Sequence, residues 1–561
     1  MKEFSILIGG KAGDGIDKAG MVIARILNRL GLRLYVYRDY PSVIRGGHTF
    51  SIIRASSGRI ASHLSKVDFI LALNQETLSL HRNRLKKDCL FIYDSDQVKI
   101  DPPLACGIGL PIKDMLKEEN APVVMRNSCV IGGFCRASGI GWEILEDVFR
   151  KNVARETDLN LKVARRGFDA ANELVKIEPL NQAALPLITG NEAVGLGLIK
   201  GGLDAYIAYP MTPSSPILHF LADAAEGLPL NVIHPENEIG VILMALGFAY
   251  MGKKAAVGTS GGGFCLMTEG VSLAGMAEMP VVIVMGQRPG PSTGLPTYSS
   301  QTDLHFVLNA GQGEFPRFIA APGDAEEAYY WSHVALNMAW KYQIPSFILT
   351  DKNLGEGTFN FDISSIKEVV ETKPLAWNRQ GQYKRYLDTD TGVSPLTFAP
   401  EKDAIIKVNS YEHDEFGITT EDPAKTVQMQ DKRLRKGIYL AEELEGMRPV
   451  NIYGNRDSET ALLCWGSNKG VCVEAAAKLG LKVIHPIVLW PFPVKQLQAS
   501  LRGVKKVIAI ENNATGQLVT LMNRFGFKVD EMVLKYDGRP LSLDELERRL
   551  ETLSKPIGKV S

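Results

Sequence analysis

Apolar and polar positions along the chain follow two alternating periods. Short runs such as "FSILIG", "LYVYR", "FSIIR", "FILALN" and "CLFIYD" are apolar enough for buried strands. Between such runs apolar residues recur at helical spacing, as in Ile16–Leu30, and helical stretches continue to about Lys176. This alternation predicts parallel α/β folding. "KIEPLNQAALPLITG" then loses periodicity and reads as a linker. A second block opens with a helix that Asn191 can cap and that Gly201-Gly202 stops. Its strands are predicted at "LDAYIAY", "LNVIHP", "KAAVGTS", "PVVIVMG" and "PSFILTD". From about Gly355 to Val450 the pattern weakens into an irregular connection, with a short helix near "AEELE". A third α/β block follows, carried by "ALLCWGS", "LKVIHPIVLWPFP", "KKVIAIENNATGQL" and "FKVDEMVLKY".

Length and composition narrow the function. A chain of 561 residues is too long for one core, so several domains are expected. With 63 basic and 63 acidic residues the net charge is zero, which gives no field to attract nucleic acid or anionic lipid. The seven cysteines form no C-x-x-C pair and read as free thiols in a reducing cytoplasm. They also argue against an iron–sulfur cluster or structural zinc site on this chain. The first residues lack the pattern of a signal peptide, and no run reaches the apolar length of a membrane helix. A soluble, cytoplasmic protein with no nucleic-acid or membrane partner is expected.

In an open parallel sheet, ligands bind beyond the carboxyl ends of the strands. The predicted strand ends carry Thr212, Glu238, Ser260, Arg288 and Asp351. In "YPMTPSSP", Thr212 sits where an N-cap belongs and Pro213 at the first helical position, followed by Ser214 and Ser215. The free N–H groups of such a helix suit a carboxylate. "HPENEIGVILMALG" places Glu238 before an apolar stretch, while Glu236, two residues earlier, points elsewhere and reads as a solvated capping residue. A buried carboxyl needs a partner or a task. Gly261 and Gly262, in "GTSGGGFC", leave backbone open to a flat ligand. Arg288 is suited to bidentate binding of a carboxylate. In "ENNATGQL", Asn513 or Thr515 could cap the next helix. Near the amino terminus, "GGKAGDGIDKAG" fits neither common phosphate-loop pattern, and a tight strand–helix turn explains it. Its "GDG" lacks the later Asn pair that would hold magnesium. "RGGH" (Arg45–His48) reads as an anion site or as a plain turn.

The order of these motifs resembles the alpha subunit of the 2-oxoacid:ferredoxin oxidoreductases, closest to the 2-oxoglutarate-type branch. The resemblance runs from "YPMTPSSP" through "ENEIGVILMALGFAYMGKKAAVGTSGGGFCLMTEG" and "EMPVVIVMGQRPGPSTGLPT…QTDL". It continues in "EHDEFG", "DKRLRK", "WPFP" and "ENNATGQL". The first block, "ILIGGKAGDGIDKAG…RGGHTFSIIR", resembles the family's gamma subunit, here fused ahead of alpha. The resemblance implies a gamma-type α/β domain over 1–178, a pyrimidine-binding alpha domain over 185–365, a connection over 366–450 and a transketolase C-terminal-like domain over 451–561.

The family implies thiamine diphosphate, coenzyme A as co-substrate, ferredoxin, and reversible oxidative decarboxylation of a 2-oxoacid to an acyl-CoA. It implies that the diphosphate, Mg2+ and an iron–sulfur cluster sit on a separate beta subunit. By the resemblance Glu238 is catalytic, with its carboxyl beside the aminopyrimidine and Ile239, Ile242 and Leu243 shielding it so that the protonated form is favoured. Thr212, Arg288 and Ser214 would bind the substrate carboxylate, and Gly261 and Gly262 the cofactor. Two other readings stay open. A pyrimidine-side subunit of a lipoamide-linked oxoacid dehydrogenase would work with a lipoyl protein and no ferredoxin. A non-catalytic scaffold or nucleotide-binding protein would fail to bind thiamine diphosphate even with beta present.

Overall fold

The computed structural model describes residues 2–42, 46–100 and 107–554. Arg45 and Cys106 lie outside the described residues. The chain forms two compact units, one of residues 1–188, 357–362 and 541–561, the other of residues 189–356 and 363–540. Both are α/β, and together they contain three sheets.

The first unit is built on an eight-stranded sheet. Its strands are β1 (Glu3–Lys11), β2 (Arg33–Asp39), β3 (His48–Ser56), β4 (Val67–Ala72), β5 (Leu85–Asp94), β6 (Gly107–Leu110), β7 (Leu187–Thr189) and β14 (Thr358–Asn360), in the order β6-β5-β4-β1-β3-β2-β14-β7. Sheet and helices share a core that includes Phe4, Ile6, Ile8, Ile23, Leu27 and Phe134, all with no exposed surface. Each such side chain contributes roughly 1.5–3 kcal/mol. β3 runs antiparallel to β1 and β2, so the unit is mixed where parallel pairing was expected. The "GGKAGDG" segment is a tight turn: Lys11 N donates to Asp14 Oδ2 at 2.8 Å, and the same carboxylate pairs with Arg126. Gly15, at φ 75°, leads into the helix Ile16–Arg29. Of the "RGGH" stretch, His48 lies on β3 with its Nε2 2.9 Å from His81 Nε2, and burial lowers the pKa of both rings.

The second unit holds the other two sheets. One contains β8 (Ala205–Ile207), β9 (Asn231–Ile233), β10 (Ala255–Thr259), β11 (Val281–Gln287), β12 (Phe318–Ala320), β13 (Pro345–Asp351) and β18 (Val488–Trp490), in the order β18-β12-β13-β11-β10-β8-β9. All neighbours pair in parallel except β12 with β18. The other contains β15 (Val450–Gly454), β16 (Thr460–Cys464), β17 (Lys482–Pro486), β19 (Lys506–Glu511) and β20 (Glu531–Leu534), in the order β15-β17-β16-β19-β20.

Several expectations need correction. The helix Gly190–Lys200 is capped by Thr189 in a capping box with Glu192, whereas Asn191 lies inside it and donates to Pro213 O at 2.9 Å. The short helix expected near "AEELE" is 23 residues long, Pro423–Glu445. Its buried face carries charge: Lys432 donates to both oxygens of Glu278 at 2.8 Å, and Lys436 to Oε2 at 2.7 Å. Burial raises the Glu278 pKa, but the two ammonium groups outweigh it and hold the carboxyl well below the usual range. "ENNATGQL" is a buried polar hub. Asn513 Oδ1 accepts from the N–H groups of Thr515 and Gly516, while Glu511 accepts from Leu518 N and from the Trp465 indole. Residues 357–362 and 541–561, expected within the alpha and C-terminal domains, belong to the first unit.

Candidate active site

Parallel pairing of β10 with β8 and β11 brings their carboxyl ends side by side, Ile207 against Val257 and Thr259 against Met285. Past the end of β8 the chain enters "YPMTPSSP". Ser214 N–H and Ser215 N–H both donate to Met211 O, and the Ser214 hydroxyl does the same at 2.8 Å. Ser214 is 2 % exposed, so its side chain closes the turn and is not free to line an open surface. The helix begins at Ser215, two residues later than expected, with Ser214 and not Thr212 at the cap position. Thr212, half-buried, offers its carbonyl to Arg288 Nη1 at 2.9 Å. Arg288 follows β11 and is largely buried, and its Nε has no partner. Burial lowers the Arg288 pKa, with Asp303 acting against that shift.

Past β9, Asn237 Oδ1 accepts from Gly240 N at 3.0 Å and caps the helix Glu238–Tyr250. Glu238 is its first residue, 4 % exposed, and its Oε1 has no hydrogen-bond partner. Helical periodicity turns Ile242 inward with Glu238, whereas Ile239 and Leu243 are each 47 % exposed. Of the three residues expected to shield the carboxyl, only Ile242 is buried. Shielding comes from the next helix, Gly261–Met276. A Cβ on Gly263 would lie 2.5 Å from Glu238 Oε1 and 2.3 Å from Thr259 Oγ1, so only glycine fits. Gly261 faces Asp303 Oδ1, 3.0 Å from where its Cβ would be, and Gly262 is open, meeting only Ser292 O at 3.7 Å. Ser260, which precedes this helix, has a buried hydroxyl with no partner.

Four buried polar atoms around the first turn of the Gly261–Met276 helix therefore lack partners: Glu238 Oε1, Ser260 Oγ, Arg288 Nε and Asp303 Oδ2. Buried polar groups in native proteins are almost always satisfied, by the chain itself, by water or by a ligand. A cradle of three glycines, one carboxyl and one guanidinium fits a flat heteroaromatic ring beside a carboxylate. Glu238, Thr212, Arg288, Gly261 and Gly262 are brought to one sheet edge. Asp351, also at a strand end, is absorbed structurally by Leu354 N and Ser467 Oγ. Glu236 is exposed. Sequence reasoning missed Gly263, Thr259 and Asp303. Gly263 was legible as the third glycine of its run, but nothing in the sequence marked Asp303 as buried.

Among the described residues no group of three or more His, Cys, Asp or Glu could hold a metal ion, and no helix is long and apolar enough to cross a membrane.

Known proteins share the fold and the domain order of this chain. The family model "pyruvate flavodoxin/ferredoxin oxidoreductase, thiamine diP-bdg" matches residues 196–432, and "pyruvate ferredoxin/flavodoxin oxidoreductase" matches residues 5–170. The chain is 30 % identical to a 2-oxoacid:ferredoxin oxidoreductase subunit alpha of Saccharolobus solfataricus, over 98 % of this chain and 97 % of that one. It is 31 % identical to a 2-oxoglutarate oxidoreductase subunit KorA of Mycobacterium tuberculosis, over 97 % of this chain and 90 % of that one. Among solved structures, a 2-oxoglutarate:ferredoxin oxidoreductase from Magnetococcus marinus, with 2-oxoglutarate, coenzyme A and succinyl-CoA bound, superposes with a TM-score of 0.89. The identity is 28 %, covering 98 % of this chain and 99 % of that one. A thiamine-diphosphate-binding domain, a second oxidoreductase domain ahead of it and full-length likeness to alpha subunits lead to one conclusion: the chain belongs to the 2-oxoacid:ferredoxin oxidoreductase family, as an alpha subunit of a multi-subunit enzyme.

Proposed function

We propose that this chain supplies the pyrimidine-side half of the active site in a CoA-dependent 2-oxoacid:ferredoxin oxidoreductase whose substrate is 2-oxoglutarate. The observation that carries this reading is the unpartnered Glu238 carboxyl set against Gly263, beside Arg288 on Thr212 O. Thiamine diphosphate, when bound, supplies a nucleophilic carbon able to add to the oxoacid carbonyl and hold the electrons released on decarboxylation. With the ring in place, Glu238 Oε1 would hold a proton at the aminopyrimidine ring nitrogen and move it to and from that atom. Gly261, Gly262 and Gly263 admit the ring, and a side chain at position 263 would displace Glu238. Arg288 orients the oxoacid carboxylate with help from the Thr212 hydroxyl.

The exposed apolar side chains Ile239, Leu243 and Met244, with Leu266 on the neighbouring helix, support docking of a beta subunit next to this half-site. That subunit would hold the diphosphate through Mg2+ and carry the iron–sulfur cluster that passes electrons to ferredoxin. The assembled enzyme would work in the reducing cytoplasm, where the described cysteines stay free.

The test is reconstitution. The chain purified alone should be colourless and show no oxoacid-dependent dye reduction. Co-expressed with its beta partner and purified without oxygen, it should be brown and reduce ferredoxin only when both CoA and oxoacid are present, with 2-oxoglutarate preferred over pyruvate. Activity from the isolated chain would overturn the divided site, and preference for pyruvate would overturn the substrate.

A further inference from the structure

Asp303 precedes the short helix Leu304–Asn309, where an aspartate usually caps the helix with its side chain, yet it makes no such bond. Its position is nevertheless held from several directions. Gln287 Oε1 accepts from Asp303 N at 3.1 Å, Thr302 Oγ1 donates to Arg288 O at 3.2 Å, and Gln517 Nε2 donates to Thr302 O at 2.7 Å. Gln301 anchors the same segment by donating to Trp465 O and accepting from Asn468 Nδ2, both at 2.7 Å. A frame this firm delivers the carboxyl to one place, against the backbone of Gly261, and leaves Oδ2 buried with no partner.

Two functional neighbours frame it. Arg288 is close enough to affect its titration, but the guanidinium does not close on Asp303. It reaches Thr212 O instead and leaves its own Nε unpartnered. A purely structural counter-ion would pair with the arginine. On the far side of the glycine run lies Glu238, whose carboxyl contacts Gly263. Asp303 Oδ2, Glu238 Oε1 and Arg288 Nε are thus three buried atoms without partners in the same half-site.

We propose that Asp303 is a further recognition residue of the oxoacid site: its neutral carboxyl donates a hydrogen bond to the substrate carboxylate clamped by Arg288, and its ionisation weakens that clamp. The inference rests on the reading of Arg288 as the carboxylate clamp. A neutral carboxyl is a donor, whereas an ionised one is acceptor-only and repels a second carboxylate while drawing on the charge of the arginine. Burial pushes Asp303 up to about 7, with Arg288 pulling the other way. The other titratable groups around it are few. Arg288 faces it from the end of β11, and the first turn of the neighbouring helix offers only glycines before Glu238 beyond them. Its own helix carries His305, whose pKa burial lowers and whose ring nitrogens have no partner.

The experiment uses the enzyme assembled with its beta partner and measures KM and kcat for 2-oxoglutarate from pH 6 to 8.5. With ionisation near 7, KM of the unaltered enzyme should rise about 10- to 30-fold over that range, and kcat should change much less. In Asp303→Asn, which keeps a donor and cannot ionise, the rise should shrink to less than about threefold. Asp303→Leu should raise KM at pH 6 by about 10-fold or more, as expected for losing a hydrogen bond to a charged group. Melting of each assembled variant separates a structural role, which would move stability and leave the slope of KM against pH untouched. An Asn variant with the unaltered slope, or a flat profile in the unaltered enzyme, overturns the proposal. Arg288→Met distinguishes the two readings: a KM raised about 10- to 150-fold there, with silent Asp303 variants, removes Asp303 alone. An unchanged KM removes the clamp itself and this proposal with it.

Discussion

The cluster around Glu278 and the half-site around Glu238 hide their carboxyls almost equally, at 1 % and 4 % exposure, yet treat them in opposite ways. Glu278 receives Lys432 and Lys436, and Lys436 in turn donates to Gln343 O at 3.1 Å. Arg385 braces the same corner through the Glu278 carbonyl at 2.8 Å. Glu238 Oε1, Arg288 Nε and Asp303 Oδ2 receive nothing from the chain. Burial alone therefore does not identify a functional charge. A satisfied buried charge fastens one element to another, here the helix Pro423–Glu445 to the Glu278 corner. An unsatisfied one is held at a cost to stability until a ligand completes it.

Exchanging the logic of the two regions sharpens the contrast. The largest effect is expected at the unsatisfied end. Glu238→Gln should cut turnover of the assembled enzyme by about 10²–10⁴-fold, with folding and assembly intact, and kcat at saturating thiamine diphosphate reads it directly. Loss of stability with normal turnover would reverse the assignment. At the satisfied end, Glu278→Ala leaves two buried ammonium groups facing each other and should cost about 3–5 kcal/mol, read as a lower denaturant midpoint. Because the carboxyl of Glu278 is held below its ordinary range, its contribution is fully present above the unfolded pKa of roughly 4.3 and fades as pH falls through the lowered folded value. The variant should accordingly show a shallower acid limb in stability against pH. Smallest of all, Glu236→Gln, on an exposed residue two positions from Glu238, should stay within about 0.5 kcal/mol in stability and near-normal in turnover; a large loss there would mean that the wrong glutamate was chosen.

Apolar runs made most of the strands legible: β8, β10 and β13 lie within their expected stretches, and β11 runs one residue past its own. β12 was missed because "FIA" is too short to stand out. The helix Pro423–Glu445 was cut short because the stretch is polar and its apolar pattern weak, and the burial of Lys432 and Lys436 depends on Glu278, more than a hundred positions earlier. The cap of Gly190–Lys200 was legible in retrospect, since "TGNE" has Glu three residues after Thr. For the candidate site, order along the chain singled out Glu238, Thr212 and Arg288, which the fold brings to one sheet edge. The shielding of Glu238 was misread because sequence neighbours were counted, whereas a helix buries positions three and four apart. Asp303 was invisible because its burial depends on Gly261 and on a frame reaching into the third α/β block.

The first unit is assembled from three separated stretches of the chain, and synthesis gives this a price in time. Its strand β14, Thr358–Asn360, lies between β2 and β7 in the sheet, and it leaves the ribosome some 320 residues after β2 does. At about 5–20 residues per second, the nascent unit waits roughly 15–60 s with the backbone N–H and C=O groups along one side of β2 unmet. An open strand edge is a template for pairing with any other extended chain. The helix Leu543–Ser554, which is tied to the first unit by Leu543 N donating to His63 O at 3.0 Å, arrives later still. The nascent chain thus carries a sticky margin through most of its translation, and a ribosome-associated holdase that shields Arg33–Asp39 during that interval would raise the yield of soluble protein.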